Sequence, residues 1–183
     1  MPEMPDTSEI AQSWYVLTVK PQHEHVVAGA LDAKGIEHFA PTYVTRRRWS
    51  DRLKALSLPL FPGYVFCRTS SESRVPVLRT SGVRGFVSFG GYPAPVPQNQ
   101  MDAIMCMSRS GLPIEPLDYL HAGDRIRVID GPLRGLDGLL LECGDCSRVV
   151  VSIEMLQRSV AVTIDRTAIQ PLGDVFSAFC PPK

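Results

Sequence analysis

The sequence predicts two parts, an α+β unit with an antiparallel sheet backed by helices and then a small all-β barrel. Three observations carry this prediction. Up to residue 109, β-branched and aromatic runs alternate with helix-period segments, and their connections are too short for repeated parallel crossovers. Residues 111–119 contain Pro113 and Pro116 and show no sustained period, so they read as a joint. Beyond it, about 55 residues hold four period-2 or buried strand patterns separated by Gly, Asp and Pro turns, the signature of a strongly curved barrel.

Trp14 to Val19 is a β-branched and aromatic run that suits a buried strand. Pro21 then starts a helix over 22–34, in which Val26, Val27, Ala30 and Leu31 recur at helical spacing and Gly35 supplies the stop. Ile36 to Val44 returns as a strand. Thr45 to Ser57, the most basic stretch, reads as an exposed hairpin or loop around Trp49. Leu58 to Phe66 packs two prolines, a glycine and three aromatics into the approach to the next strand, which stiffens the backbone while presenting rings. A short helix at 73–80, a strand from Val83 to Phe89, a proline-marked edge at Pro93 and Pro95, and a helix from Gln98 to Arg109 complete the first part. The second part holds strands at Asp124–Ile129, Gly138–Glu142, Arg148–Ile153 and Ser159–Ile164. The expected organisation is therefore a flexible start at 1–12, a first domain at 13–110, a linker at 111–120, the barrel at 121–172 and a loose tail at 173–183. So small a barrel buries only about 60% of its chain surface and is marginal alone.

The chain has 183 residues, 44% hydrophobic and 21% charged, with 19 basic against 19 acidic side chains. That composition excludes both a polybasic and a disordered class. No stretch approaches the roughly 18 to 20 apolar residues of a membrane span, and the acidic start lacks a signal-peptide pattern, so a cytoplasmic location is expected; the chain is also expected to be a monomer. The net charge of zero hides an uneven distribution: residues 13–112 carry +6, between flanks of −3 each. Uneven scatter of solvated charge is the plain alternative.

Five cysteines, an odd number, argue against a disulfide framework. Only Cys143 and Cys146 have a recognised spacing, but no second pair or HxxxH supplies a structural zinc site, and Gly144 and Asp145 look like a hairpin tip rather than a redox-active strand-to-helix turn. No catalytic residue, metal site or cofactor is expected. Enzyme chemistry would have to rest on these two thiols.

Gly123 to Gly138 (GDRIRVIDGPLRGLDG) resembles a KOW motif, an alternating strand followed by a Gly-Pro turn in which Gly131 permits the sharp bend. Trp14 to Val16, the helix at 22–34, and Phe61 to Phe66 followed by Gly82 and Val83 resemble the N-terminal domain of the NusG family, which also carries a KOW barrel of SH3-like type. Together the two resemblances cover about 155 residues in the family's order. Pro59 to Phe66, the Arg46 to Ser50 loop and Leu156 to Val162 look most like the specialised RfaH, UpxY and LoaP paralogues, the UpxY type above all.

The resemblance implies a transcription antitermination and elongation factor that bridges the clamp and the opposite lobe of RNA polymerase, suppresses pausing and termination, and serves particular polysaccharide or secondary-metabolite operons. A housekeeping NusG-type factor is the alternative, and a KOW-containing ribosome-associated RNA-binding protein is a third reading. Carried over by motif position, Phe61, Pro62, Tyr64, Phe66 and Phe86 would form an apolar cavity for the clamp helices; ordinary core packing is the lesser alternative, strongest for Phe66 and Phe86. Ser73 and Arg74 stand where the family touches the gate loop, but their chemistry departs from the His-Thr-Thr run of RfaH-like members. Lys20, His23, Arg79 and Thr80, extended by Arg46, Arg47 and Arg48, would contact the non-template DNA strand, because cations suit phosphates and nearby rings suit unstacked bases. Leu133, Leu136, Ile153 and Leu156 would offer an edge to Rho or a small-subunit ribosomal protein, or else fill the barrel core. The dense Val and Ile runs at 149–151 and 160–164 favour a stable barrel over a helical refold.

Overall fold

The computed structural model describes residues 12–49, 52–70, 73–118, 123–143 and 146–172. Apart from Gln12, the expected flexible ends lie outside the described residues. The chain divides between Gln98 and Asn99 into two compact units.

In chain order the first unit runs β1 (Ser13–Val19), α1 (Glu24–Asp32), β2 (His38–Phe39), β3 (Thr42–Trp49), β4 (Arg52–Pro59), β5 (Tyr64–Thr69), α2 (Arg74–Leu78), β6 (Val83–Phe86), β7 (Ser88–Phe89), β8 (Tyr92–Pro93) and β9 (Pro95–Val96). The main sheet has the order β2-β5-β1-β6, with β9 also on β1, and its pairs are antiparallel. β1 is central because both of its faces are apolar: Trp14 and Val16 point one way and Tyr15, Leu17 and Val19 the other, all buried. The second set packs with Val65, Cys67, Val77 and the α1 stripe of Val27 and Leu31. Fully burying such side chains is worth about 1.5–3 kcal/mol each.

The expected single strand over 36–44 is two strands in different sheets, β2 and β3. Pro41 stands between them, with no N–H to continue a ladder, and its carbonyl accepts from Leu60 N–H at 2.8 Å. β3 and β4 form the expected basic hairpin as a separate two-stranded ribbon in which Arg46 is opposite Ala55, Arg47 opposite Lys54 and Arg48 opposite Leu53. The expected strand to Phe89 ends at Phe86 and resumes as the small β7–β8 hairpin.

The second unit holds α3 (Gln98–Arg109, all but its first residue), β10 (Ile114–Asp118), β11 (Asp124–Val128), β12 (Asp137–Cys143), β13 (Cys146–Ile153), β14 (Arg158–Ile164) and β15 (Ile169–Pro171). The six strands form one antiparallel sheet in the order β10-β14-β13-β12-β11-β15. Half of the stretch read as a linker, Ile114–Asp118, is therefore a strand, with Pro116 opposite Val160. Pro113 just before it and Pro116 within it concealed it, and Pro116 is tolerated because β10 ends the sheet. The shortest strand, β15, was also unforeseen, and it too ends the sheet and contains a proline, Pro171. Val149, Val150, Ile153, Val160, Ala161 and Val162 are buried, together with Ile126, Val128 and Leu133. Gly131, at φ +80°, makes the anticipated tight turn, and its N–H donates to Asp130 Oδ1 at 2.8 Å.

Candidate functional site

The stretch that enters β5 is a β-turn dictated by its sequence. Tyr64 N–H donates to Phe61 C=O at 3.1 Å, with Pro62 and Gly63 in the central positions and Gly63 at φ +83°. Proline first and a positive-φ glycine second define a type II turn. Phe61 and Phe66 are 2% and 0% exposed, and their rings meet edge to face with centroids 5.3 Å apart. The Phe39 ring also lies against Phe66, tilted, with centroids 6.2 Å apart. Pro62 is exposed and Tyr64 half-buried, so these two reach the surface while their neighbours Phe61 and Phe66 are buried.

Phe86 does not join this group. It lies opposite Leu17 on β1, on the face that packs against α1, whereas Phe66 lies opposite Val16 on the reverse face. Its ring instead meets Tyr15 edge to face at 5.7 Å. Arg74 continues that line: its Nη2 donates to the Tyr15 hydroxyl at 3.1 Å and its guanidinium lies 5.1 Å from the Tyr15 ring centre. Ser73 is exposed, and its N–H donates to Ser70 Oγ at 3.3 Å. The five rings expected to share one cavity are thus divided between the two faces of a sheet, because alternate positions in a strand face opposite sides.

Lys20, His23 and the turn after α2 meet at one corner. Lys20 N–H donates to Gly82 C=O at 2.8 Å, and a Cβ on Gly82 would come within 3.0 Å of Val27 Cγ2 and 3.4 Å of His23 Cβ. Lys20 and Arg79 are exposed and His23 half-buried, its Nδ1 3.0 Å from Pro21 C=O. Thr80 is only 3% exposed. Its hydroxyl donates to Pro76 C=O at 3.2 Å and accepts from Lys34 Nζ at 2.7 Å, so this side chain holds the corner together rather than facing outward. The backbone of Arg46, Arg47 and Arg48 belongs to the β3–β4 ribbon.

Sequence reasoning missed Glu24. This acid is 6% exposed, and its Oε1 accepts from Gly63 N–H at 2.7 Å. A signal was present: position 24 is in phase with Val27 and Leu31, so the helix period places a carboxylate on the buried face. Tyr15, which anchors Arg74, was read only as part of a strand.

In the second unit Leu133, Leu136, Ile153 and Leu156 are 0–8% exposed. They are core side chains rather than an exposed apolar edge, which resolves the choice the sequence left open. The surface carries charge instead, including a two-pronged pair of Arg127 with Asp137 at 2.6 and 2.8 Å and a pair of Arg148 with Glu115 at 2.5 Å. Cys143 is opposite Cys146 at the end of the β12–β13 pair, and the intervening 144–145 lie outside the described residues. In the first unit, burial pushes the Cys67 thiol up to about 12, which keeps it protonated and unreactive at neutral pH. Among the described residues no cluster of His, Cys, Asp and Glu could hold a metal, and no helix is long and apolar enough to cross a membrane.

The family model described as transcription termination factor nusG matches residues 12–105. The transcription termination/antitermination protein NusG of Pseudomonas aeruginosa is 27% identical over 177 residues, covering 88% of this chain and 99% of that protein. Its namesake in Escherichia coli K12 is 30% identical over 132 residues, 68% of each chain. A solved structure described as domain interaction in Thermotoga maritima NusG aligns with a TM-score of 0.51 at 24% identity, covering 91% of this chain and 100% of that one, a likeness of fold.

Proposed function

The chain belongs to the NusG family of transcription termination and antitermination proteins, a family of non-enzymatic factors, and from that premise we propose that its first unit docks on the clamp helices of RNA polymerase through the Phe61–Tyr64 turn. The observation that carries this reading is the turn itself. A type II turn with Pro62 and Tyr64 at the surface, braced by buried Phe61 and Phe66, offers a stiff apolar contact that loses little conformational freedom on binding. Ser73 and Arg74 would meet the gate loop, and the Arg74 guanidinium, already oriented by Tyr15, is presented without further ordering.

Lys20, His23 and Arg79 form the corner for the non-template strand in the transcription bubble, and the basic β3–β4 ribbon extends it. The +6 charge of residues 13–112 supports this assignment, while the neutral total argues against tight coating of free DNA. The second unit is read as the KOW barrel, recruiting a protein partner such as Rho or a small-subunit ribosomal protein through its charged surface. The factor works in the cytoplasm without a cofactor and suppresses pausing and termination. The resemblance of Pro59 to Phe66 to specialised paralogues favours service to particular operons. The general name carried by the relatives above favours a housekeeping factor as the second reading.

In vitro elongation on a paused template tests the proposal: the full chain should bind core polymerase and shorten pauses. No binding to core polymerase or its clamp helices, together with unchanged pausing, would reject it. Occupancy along the genome then separates an operon-specific factor from a general one.

A further inference from the structure

We propose that Glu24 is the positioning residue that holds the Phe61–Tyr64 turn in its polymerase-binding shape, an inference that rests on the function proposed above. The Pro62–Gly63 peptide can stand in either of two orientations, which distinguish type I from type II turns at nearly the same chain direction. The closing bond from Tyr64 N–H to Phe61 C=O is compatible with both. What separates them is where the Gly63 N–H points. It points at Glu24 Oε1, 2.7 Å away, a short charge-assisted bond. The Gly63 carbonyl is held as well, accepting from Val19 N–H at 2.9 Å. Glu24 therefore selects the orientation with Gly63 at φ +83° and with it the surface that Pro62 and Tyr64 present.

Stability alone does not call for an acid at this position. Glu24 lies in the Val27 and Leu31 stripe, where an apolar side chain would complete the buried face with no carboxylate to desolvate. Its place in the first turn of α1, where the helix dipole favours negative charge, offsets part of that cost. The same end of α1 is tied to the other proposed contact, through Lys20 N–H to Gly82 C=O and through Val27 against Gly82. The helix start thus spaces the polymerase-facing turn from the corner assigned to DNA.

The test uses the full chain with Glu24→Met, which matches the side chain in length and lacks an acceptor, and Glu24→Gln, which retains one. Affinity for core polymerase, the denaturation midpoint and the Gly63 amide proton shift are measured for each. Glu24→Met should fold as stably as the parent yet bind about 10-fold more weakly, the scale of one lost charge-assisted hydrogen bond. Its Gly63 amide proton should move upfield. Glu24→Gln should recover most of the affinity. In a Tyr64→Ala background the Glu24→Met effect should shrink sharply, because both act through one turn. Undiminished binding by Glu24→Met overturns the inference, as does an equal loss in the Tyr64→Ala background. If Glu24→Met is unstable, Glu24→Gln decides alone: a well-folded Gln variant whose weaker acceptor moves the Gly63 amide proton upfield and lowers the affinity in step supports the inference, and one that binds as tightly as the parent rejects it. A parent chain that does not bind polymerase rejects the proposed function instead.

Discussion

The two units use their apolar residues in opposite ways. In the second, strands β11 to β14 pair with their neighbours in sequence, and the apolar side chains of the motif-rich stretches, Leu133, Leu136, Ile153 and Leu156, all go inward. In the first, β1 sits between β5 and β6, strands distant in sequence, and the turn that leads into β5 leaves Pro62 and Tyr64 at the surface above buried rings. Hydrophobicity in one unit is spent on stability. In the other, part of it stays at the surface, where the proposed function uses it for binding. The lesson is that an apolar motif is evidence of a docking surface only when its backbone cannot turn it inward, as the type II turn cannot for Pro62.

The contrast can be broken most forcefully in the core of the second unit. Leu133→Ala should destabilise that unit by about 2–5 kcal/mol in denaturant unfolding and leave polymerase affinity nearly unchanged. A loss of polymerase binding with the fold intact would place the docking surface in the wrong unit. The reciprocal variant, Tyr64→Ala, should weaken binding to core polymerase by about 30-fold, on the scale of a 2 kcal/mol hot spot, with a change in unfolding free energy under about 1 kcal/mol. If stability falls instead, Tyr64 is a core residue like its neighbours. Gly63→Ala sharpens the comparison further: a side chain at φ +83° should cost about 1–2 kcal/mol through backbone strain, although open space surrounds the position. Unchanged stability would show that the turn is not held in the type II form.

The smallest effect concerns the exposed pair on the second unit. Arg127, through its hydrogen bonds, holds the Asp137 carboxyl below the usual carboxylate range. The unfolded chain therefore takes up this proton first as acid is added. The stabilisation is present at neutral pH and is lost as pH falls from about 4 through the lowered folded value. Because half of each side chain is in solvent, the contribution should not exceed about 1 kcal/mol. Asp137→Asn should flatten the acid limb of a stability–pH curve only slightly, and a large change would reveal a network beyond this pair.

Much of the fold was legible because the signals were local. The β1 run, the α1 stripe, the Gln98–Arg109 helix and four of the six strands of the second unit follow from periodicity, and Gly35 and Gly131 mark bends at positive φ. The edge strand Ile114–Asp118 was hidden because prolines break its pattern, although an edge position tolerates them. The candidate site was only half legible. Phe61 and Phe66 do meet, whereas Phe86 falls on the opposite face and Thr80 is consumed by Lys34 and Pro76.

By itself the sequence determined the antiparallel strands of both units and the position of the basic segment, since each depends on residues close along the chain. Only the tertiary structure decided which apolar side chains remain outside, which polar ones are already engaged, and that a carboxylate on α1 would meet an amide 39 positions later. Strand alternation gives a residue two possible faces, but which face is covered depends on partners far away in sequence, and no local pattern encodes that choice.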